Sequence, residues 1–184
     1  MEKNKYFNTK MIAATGLLLA IEIVLQLLTF VIPTTVNLNL SLIPIVIGAM
    51  LYGPLVGGFL GFMCGVIILL SPNTVTVFMS INPVATVFTC LLKTFVAGLV
   101  AGYLYRLIAK KSTLVGSIVA SIIVPVINTF IFCIFTYFFF KEGLGLPDFG
   151  TIITAFIGVN FLFEVVSTVV IGPTLMKVIE QSKK

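Results

Sequence analysis

The sequence predicts an all-α integral membrane protein, a single membrane domain over residues 1–184 with six transmembrane helices and both termini on the cytoplasmic side. Three observations carry that expectation. Of the residues, 59% are hydrophobic and only 9% charged, whereas an ordinary soluble domain is about a quarter charged. The apolar residues run along the whole chain in blocks close to the roughly 20 residues that cross a hydrocarbon core. The basic residues, with a net charge of +5, cluster at the ends of those blocks. There they are topology signals rather than a nucleic-acid-binding face.

The first block, 11–32, follows "MEKNKYFNTK", which has no cleavage-site pattern, so it reads as a retained span. The second and third, 40–53 and 54–71, are one apolar run broken only by "YGP" at 52–54. Gly53 as a stop signal and Pro54 as a first-turn residue favour a tight turn between two helices over one long helix. The blocks at 83–108, 113–140 and 150–176 complete the six. With the N-terminus inside, the inner flanks hold Lys3, Lys5, Lys10, Arg106, Lys110, Lys111, Lys177, Lys183 and Lys184, and the outer loops hold only Lys141. Fusing the second and third spans would split these clusters between two sides, against the positive-inside rule. The expected outer loops, 33–41, 71–83 and 141–150, are rich in Asn, Thr, Ser, Pro and Gly. That composition suits either a binding mouth or plain solvated turns.

Several chemistries are excluded. Histidine is absent, which rules out His-based triads and the HExxH zinc motif. Cys64, Cys90 and Cys133 each stand alone in an apolar segment, so they read as packing residues. No metal and no cofactor is expected.

Small residues mark packed faces. Gly57, Gly61 and Gly65 recur every four residues, as do Gly98 and Gly102 with Ala97 and Ala101 beside them. In lipid, such spacing lets helix backbones approach closely. In the first span Ala13, Ala14, Gly16 and Ala20 form a similar patch, for internal packing or for docking another membrane subunit.

An ionisable residue deep in a span is costly, so it faces the bundle interior by default. Glu22, Lys93, Asn128 and Asn160 each lie about 10 residues, or about 15 Å, from the outer end of their span. Helical phase puts Asn82, Thr86, Thr89 and Lys93 on one face, with Gly102 opposite; Ser121, Pro125 and Asn128 share another, and Asn160, Glu164 and Ser167 a third. Two readings follow. Lys93 pairs with Glu164 or Glu22 and only locks the bundle, or the stripe leads from an outer mouth to a ligand site. In the second reading Asn82, Thr86, Thr89, Lys93, Asn128, Asn160 and Glu164 bind substrate. Lys93 attracts a carboxylate, and Phe88, Phe132 or Tyr137 walls an organic group.

The stretches "LSLIPIVIGAMLYGPLVGGFLGFMCGVI", "INPVATVFTCLLKTFVAGLVAGYLYRLIAKK" and "VPVINTFIFCIFTYFFF" resemble the substrate-binding S components of energy-coupling factor (ECF) transporters, over about residues 10–177. The resemblance implies a six-helix bacterial plasma-membrane protein that captures a vitamin from outside. It also implies partners, namely a membrane coupling subunit and two ATPases, whose ATP hydrolysis drives toppling and release inside. The family docks through an AxxxA pattern in the first helix. Here the nearest match is Gly16-x-x-x-Ala20, with Ala13 one turn earlier. The chain has no GxxxxGK[ST] phosphate loop, so it is not expected to be an enzyme. Among family substrates, "VPVINT" and a single lysine favour pantothenate, then riboflavin; folate, with two carboxylates, calls for more than one cation. The rival reading is a stand-alone secondary transporter or channel with Glu22, Lys93 and Glu164 as a proton relay, but no inverted repeat of broken helices is present. An intramembrane enzyme has no convincing Ser or Asp dyad to support it.

Overall fold

The computed structural model describes residues 9–31, 39–156 and 158–181, all helix, turn or short connection with no strand among them. Its helices are α1 (Thr9–Val31), α2 (Leu42–Tyr52), α3 (Pro54–Leu69), α4 (Thr74–Ile81), α5 (Pro83–Ile108), α6 (Thr113–Phe140), α7 (Phe149–Phe156) and α8 (Val159–Gln181). Thr74–Phe78 and Thr136–Phe140 are wound as π-helix.

The core is built around α2. Leu42, Ile45, Val46 and Ala49 are fully buried, and the helix touches α1, α3, α5, α6 and α8. A helix that is apolar all round belongs inside a bundle. Its 11 residues reach only about 16 Å, about half the thickness of a hydrocarbon core.

Of the expected six spans, the described residues show four helices long and apolar enough to cross a membrane, and the pair α3–α4, bent by 71°, raises the total to five. The block 40–53 is helical only over Leu42–Tyr52, too short to cross alone. The outer loop expected at 71–83 is largely helix α4, because Ser71 Oγ accepts from Thr74 N at 3.2 Å and starts a new turn where α3 ends. The block 150–176 likewise contains two helices, α7 ending at Phe156 and α8 starting at Val159.

Between α2 and α3 the chain reverses at Gly53, whose φ of 96° favours glycine. A side chain there would also strike the Arg106 guanidinium, which donates to Tyr52 O at 3.3 Å. Pro54 then occupies the first turn of α3, where its missing N–H costs nothing. The α3–α5 contact follows the glycine spacing: a Cβ at Gly57 would come within 2.6 Å of Gly98 O, and one at Gly65 within 2.5 Å of Cys90 O. Gly61 lies as tightly against Thr94 O, and Gly102 against Pro54.

α6 and α8 run antiparallel, tied by Thr168 Oγ1 donating to Ser121 O at 2.8 Å, with Gly172 seated against Ser121 Oγ. α1 lies along the edge of the bundle and buries one face, Glu22 and Gln26, with Leu18 packed against the core. With α1 antiparallel to α2 (Gln26 beside Ser41, Leu18 beside Gly48), Lys10, Arg106, Lys110, Lys111 and Lys177 gather at one end of the bundle. Lys141 lies at the other.

Candidate functional site

The end opposite the basic cluster contains a cavity of about 480 Å³, within the size range of small-molecule sites. Its floor and one wall come from α5, α6 and α8. Asn82 caps α5 by accepting from Ala85 N at 3.0 Å, and Pro83 fills the first turn, which sets the helical phase of the residues that follow. That phase turns Thr86, Thr89, Cys90 and Lys93 to the cavity. Asn128 and Phe132 face them from α6, and Glu164 from α8.

Five of the seven residues expected at the site, Thr86, Thr89, Lys93, Asn128 and Glu164, therefore line one cavity. Asn82 does not; its side-chain oxygen is engaged in the helix cap. The side chain of Asn160 lies outside the described residues. Glu22, expected at the same depth, is fully buried and is not among the residues lining the cavity. Ser121 and Pro125 pack within the helix bundle, and Ser167 donates to Glu164 O at 3.0 Å.

Lys93 is 9% exposed, and its Nζ stands 4.8 Å from the centre of the Phe132 ring, an attraction between the ammonium and the negative ring face. No ion pair joins it to Glu22 or Glu164 among the described residues. The locking pair expected as one reading of the sequence is absent from this geometry.

Of the three aromatic residues expected in the wall only Phe132 is there. Phe88 is 62% exposed on the outer side of α5, and Tyr137 packs edge-on against Phe138 and Phe149. The aromatic lining is instead a chain of edge-to-face contacts. Phe78 meets Phe140 at 5.2 Å and Phe132 at 5.5 Å, and Phe132 meets Phe156 at 4.9 Å. These rings come from α4, α6 and α7, so their meeting depends on how the helices return across the cavity.

The remaining wall comes from α1 and from two stretches expected as outer loops. Gln26 and Thr29 of α1, Asn39, and Ser71, Asn73 and Thr74 at the α3–α4 bend all line the cavity. Ser41 Oγ lies between Gln26 Oε1 at 2.7 Å and Asn39 Oδ1 at 2.5 Å, with Cys64 Sγ at 3.2 Å. A signal existed for Gln26, which follows Glu22 by four residues and so shares its helix face. Asn39, Ser71, Asn73 and Thr74 lie in the stretches 33–41 and 71–83, whose polar composition suited a binding mouth, but the helical form of α4 left no signal there.

The small-residue patch of α1 points the other way. Ala13, Gly16 and Ala20 are exposed along one face, and a Cβ at Gly16 would meet nothing within 4 Å. Among the described residues, these three do not pack internally. Helix α1 thus bears Gln26 and Thr29 at the cavity and a bare small-residue strip nearer its start.

The cavity has a cation at its foot, amide and hydroxyl groups around it and aromatic edges above, an arrangement that can hold a small polar organic molecule. No group of three or more Cys, Asp or Glu residues able to hold a metal occurs among the described residues. No curated protein and no solved structure matches the chain. The family described as ECF transporter, substrate-specific component, matches residues 10–176. That match covers nearly the whole length and agrees with the apolar helices among the described residues: the chain belongs to the family of substrate-specific components of ECF transporters.

Proposed function

We propose that this chain captures a vitamin or related micronutrient from outside a bacterial cell, first pantothenate, whose carboxylate suits Lys93, and second the uncharged riboflavin, and hands it to an ATP-driven uptake complex. The observation that carries the substrate reading is Lys93, a cation lining the cavity with no carboxylate paired to it. A buried unpaired charge is destabilising, and a ligand carboxylate relieves it. Pantothenate brings one carboxylate to this one lysine, with its hydroxyl and amide groups left for Asn128, Thr86, Thr89, Asn160 and Glu164.

In this proposal the basic end of the bundle is cytoplasmic, following the positive-inside rule, and the cavity opens outward. Counting α2 as the inner half of a crossing and α3–α4 as one bent crossing makes six, with both termini inside. The strip Ala13, Gly16 and Ala20 receives the membrane coupling subunit, which carries two ATPases. Close approach of helices at small residues supports that role. The chain itself hydrolyses nothing.

Calorimetric titration of the purified full chain with pantothenate tests the reading. Wild type is expected to bind, and Lys93→Met to weaken binding at least about 100-fold, the loss of a charge-assisted contact of about 3 kcal/mol. Unchanged affinity in the variant removes Lys93 from the site.

A further inference from the structure

A second recess lies at the basic end of the bundle, between α6 and α8. Midway along, these helices fit closely: Thr168 Oγ1 reaches Ser121 O, and Gly172 leaves no room for a Cβ beside Ser121 Oγ. One turn further toward the basic end they part, and a cleft of about 250 Å³ opens. Thr113, Leu114 and Ser117 line it from the start of α6, and Pro173, Met176 and Lys177 from the end of α8. Ser117 and Met176 are buried at its floor, while Leu114 and Lys177 stand exposed at its rim, with the exposed Val178 beside Lys177. Lys110 and Lys111 are exposed in the turn that leads into Thr113. Over residues 106–113 and 173–184 the sequence carries Arg106, Lys110, Lys111, Lys177, Lys183 and Lys184 against one acid, Glu180.

A lysine that only sets topology reaches toward water along the helix surface and needs no recess. Here a lysine and a threonine edge a recess whose flanks are apolar, which matches the head and tail of an amphiphile. Basic pockets between membrane helices recognise anionic lipid head groups. A zwitterionic lipid brings no net charge to the lysines, and a small soluble anion gains nothing from Leu114 and Val178. We propose that this cleft binds the phosphodiester head group of an anionic phospholipid, with Lys177 and Thr113 at the phosphate and the acyl chains along Leu114 and Val178. The exposed Lys110 and Lys111 strengthen the attraction. Such a lipid bridges α6 and α8 where they part, so its binding stabilises the folded bundle. The proposal needs the membrane helices but not the substrate cavity at the opposite end.

The test is native mass spectrometry of the detergent-purified full chain with dioleoyl phosphatidylglycerol, dioleoyl phosphatidylcholine or glycerol 3-phosphate. Phosphatidylglycerol is expected to bind at least about fivefold more tightly than phosphatidylcholine, the effect of one lysine near an anionic head group. Lys177→Gln should weaken phosphatidylglycerol about fivefold and leave phosphatidylcholine unchanged. Lys10→Gln, at the same end but outside the cleft lining, should change neither. Phosphatidylglycerol should also raise the thermal midpoint of wild type more than that of Lys177→Gln. Equal binding of the two lipids overturns the proposal, and so does an equal loss in both variants, which marks diffuse surface charge. Displacement of phosphatidylglycerol by an equal concentration of glycerol 3-phosphate overturns it in favour of a soluble phosphate. None of these outcomes touches the binding of pantothenate.

Discussion

Single residues in this protein are placed by what their polar groups need. Lys93 has no carboxylate partner and rests its ammonium on Phe132; Asn82, expected to touch ligand, spends its oxygen on the α5 cap. Asp148, outside the membrane spans, acts similarly. It accepts from Thr151 Oγ1 and from Gly150 N at 3.0 Å, and these bonds, that of Thr151 foremost, hold its carboxyl below the ordinary range. A depressed folded-state value means that the stabilisation is present above the unfolded carboxyl value and lost as pH falls through the folded one. Amide protection factors in residues 149–156, corrected for the intrinsic pH dependence of exchange, are therefore expected to be higher near neutral pH than in acid. Asp148→Ala should show the lower protection at both, and equal protection in variant and wild type near neutral pH would contradict the capping role.

Among the helices, the best-defined contact is α3 against α5, where backbone meets backbone. Gly61 faces the carbonyl oxygen of Thr94 with no room for a Cβ. Overpacking of a tight site costs about 1–3 kcal/mol, and here the obstacle is backbone that cannot rotate away. Gly61→Val is expected to lower the thermal midpoint in detergent and to weaken ligand binding, because α5 carries Thr86, Thr89 and Lys93. Gly16→Leu, on the open face of α1, should leave the midpoint within a degree or so of wild type; an equal drop in both variants would mean that the α3–α5 seam has no special role. These glycines were legible in the sequence because a four-residue period has one structural meaning on a helix. Helix α4 was not legible. Its Asn, Pro, Ser and Thr residues read as loop, and only the 71° bend that folds it over the cavity gives Phe78 something to pack on.

Across the whole molecule, α1 joins two surfaces. Gln26 and Thr29 line the cavity, while Ala13, Gly16 and Ala20 face outward nearer the basic end. The proposed transport cycle needs both. Gly16→Leu is expected to leave vitamin binding by the isolated chain intact while cutting uptake in cells by at least about tenfold, since small-residue helix contacts tolerate little added bulk. In cells without the coupling subunit and ATPases, uptake should fall to background. Undiminished, ATP-independent uptake there would instead favour a stand-alone transporter.

Composition and periodicity alone determined that the chain is helical and membrane-embedded, that α3 and α5 each carry a small-residue face for close packing, and that Thr86, Thr89 and Lys93 share a face. Each of these is a property of one segment and its solvent, readable from a short window. Tertiary structure alone decided that α2 is a buried half-length helix and that 72–81 folds over the cavity. It also decided that Phe78, Phe132, Phe140 and Phe156 form one aromatic chain, and that Glu22 lies apart from Lys93. Those features depend on distances between segments far apart in the chain, which are set by the packing of the whole bundle.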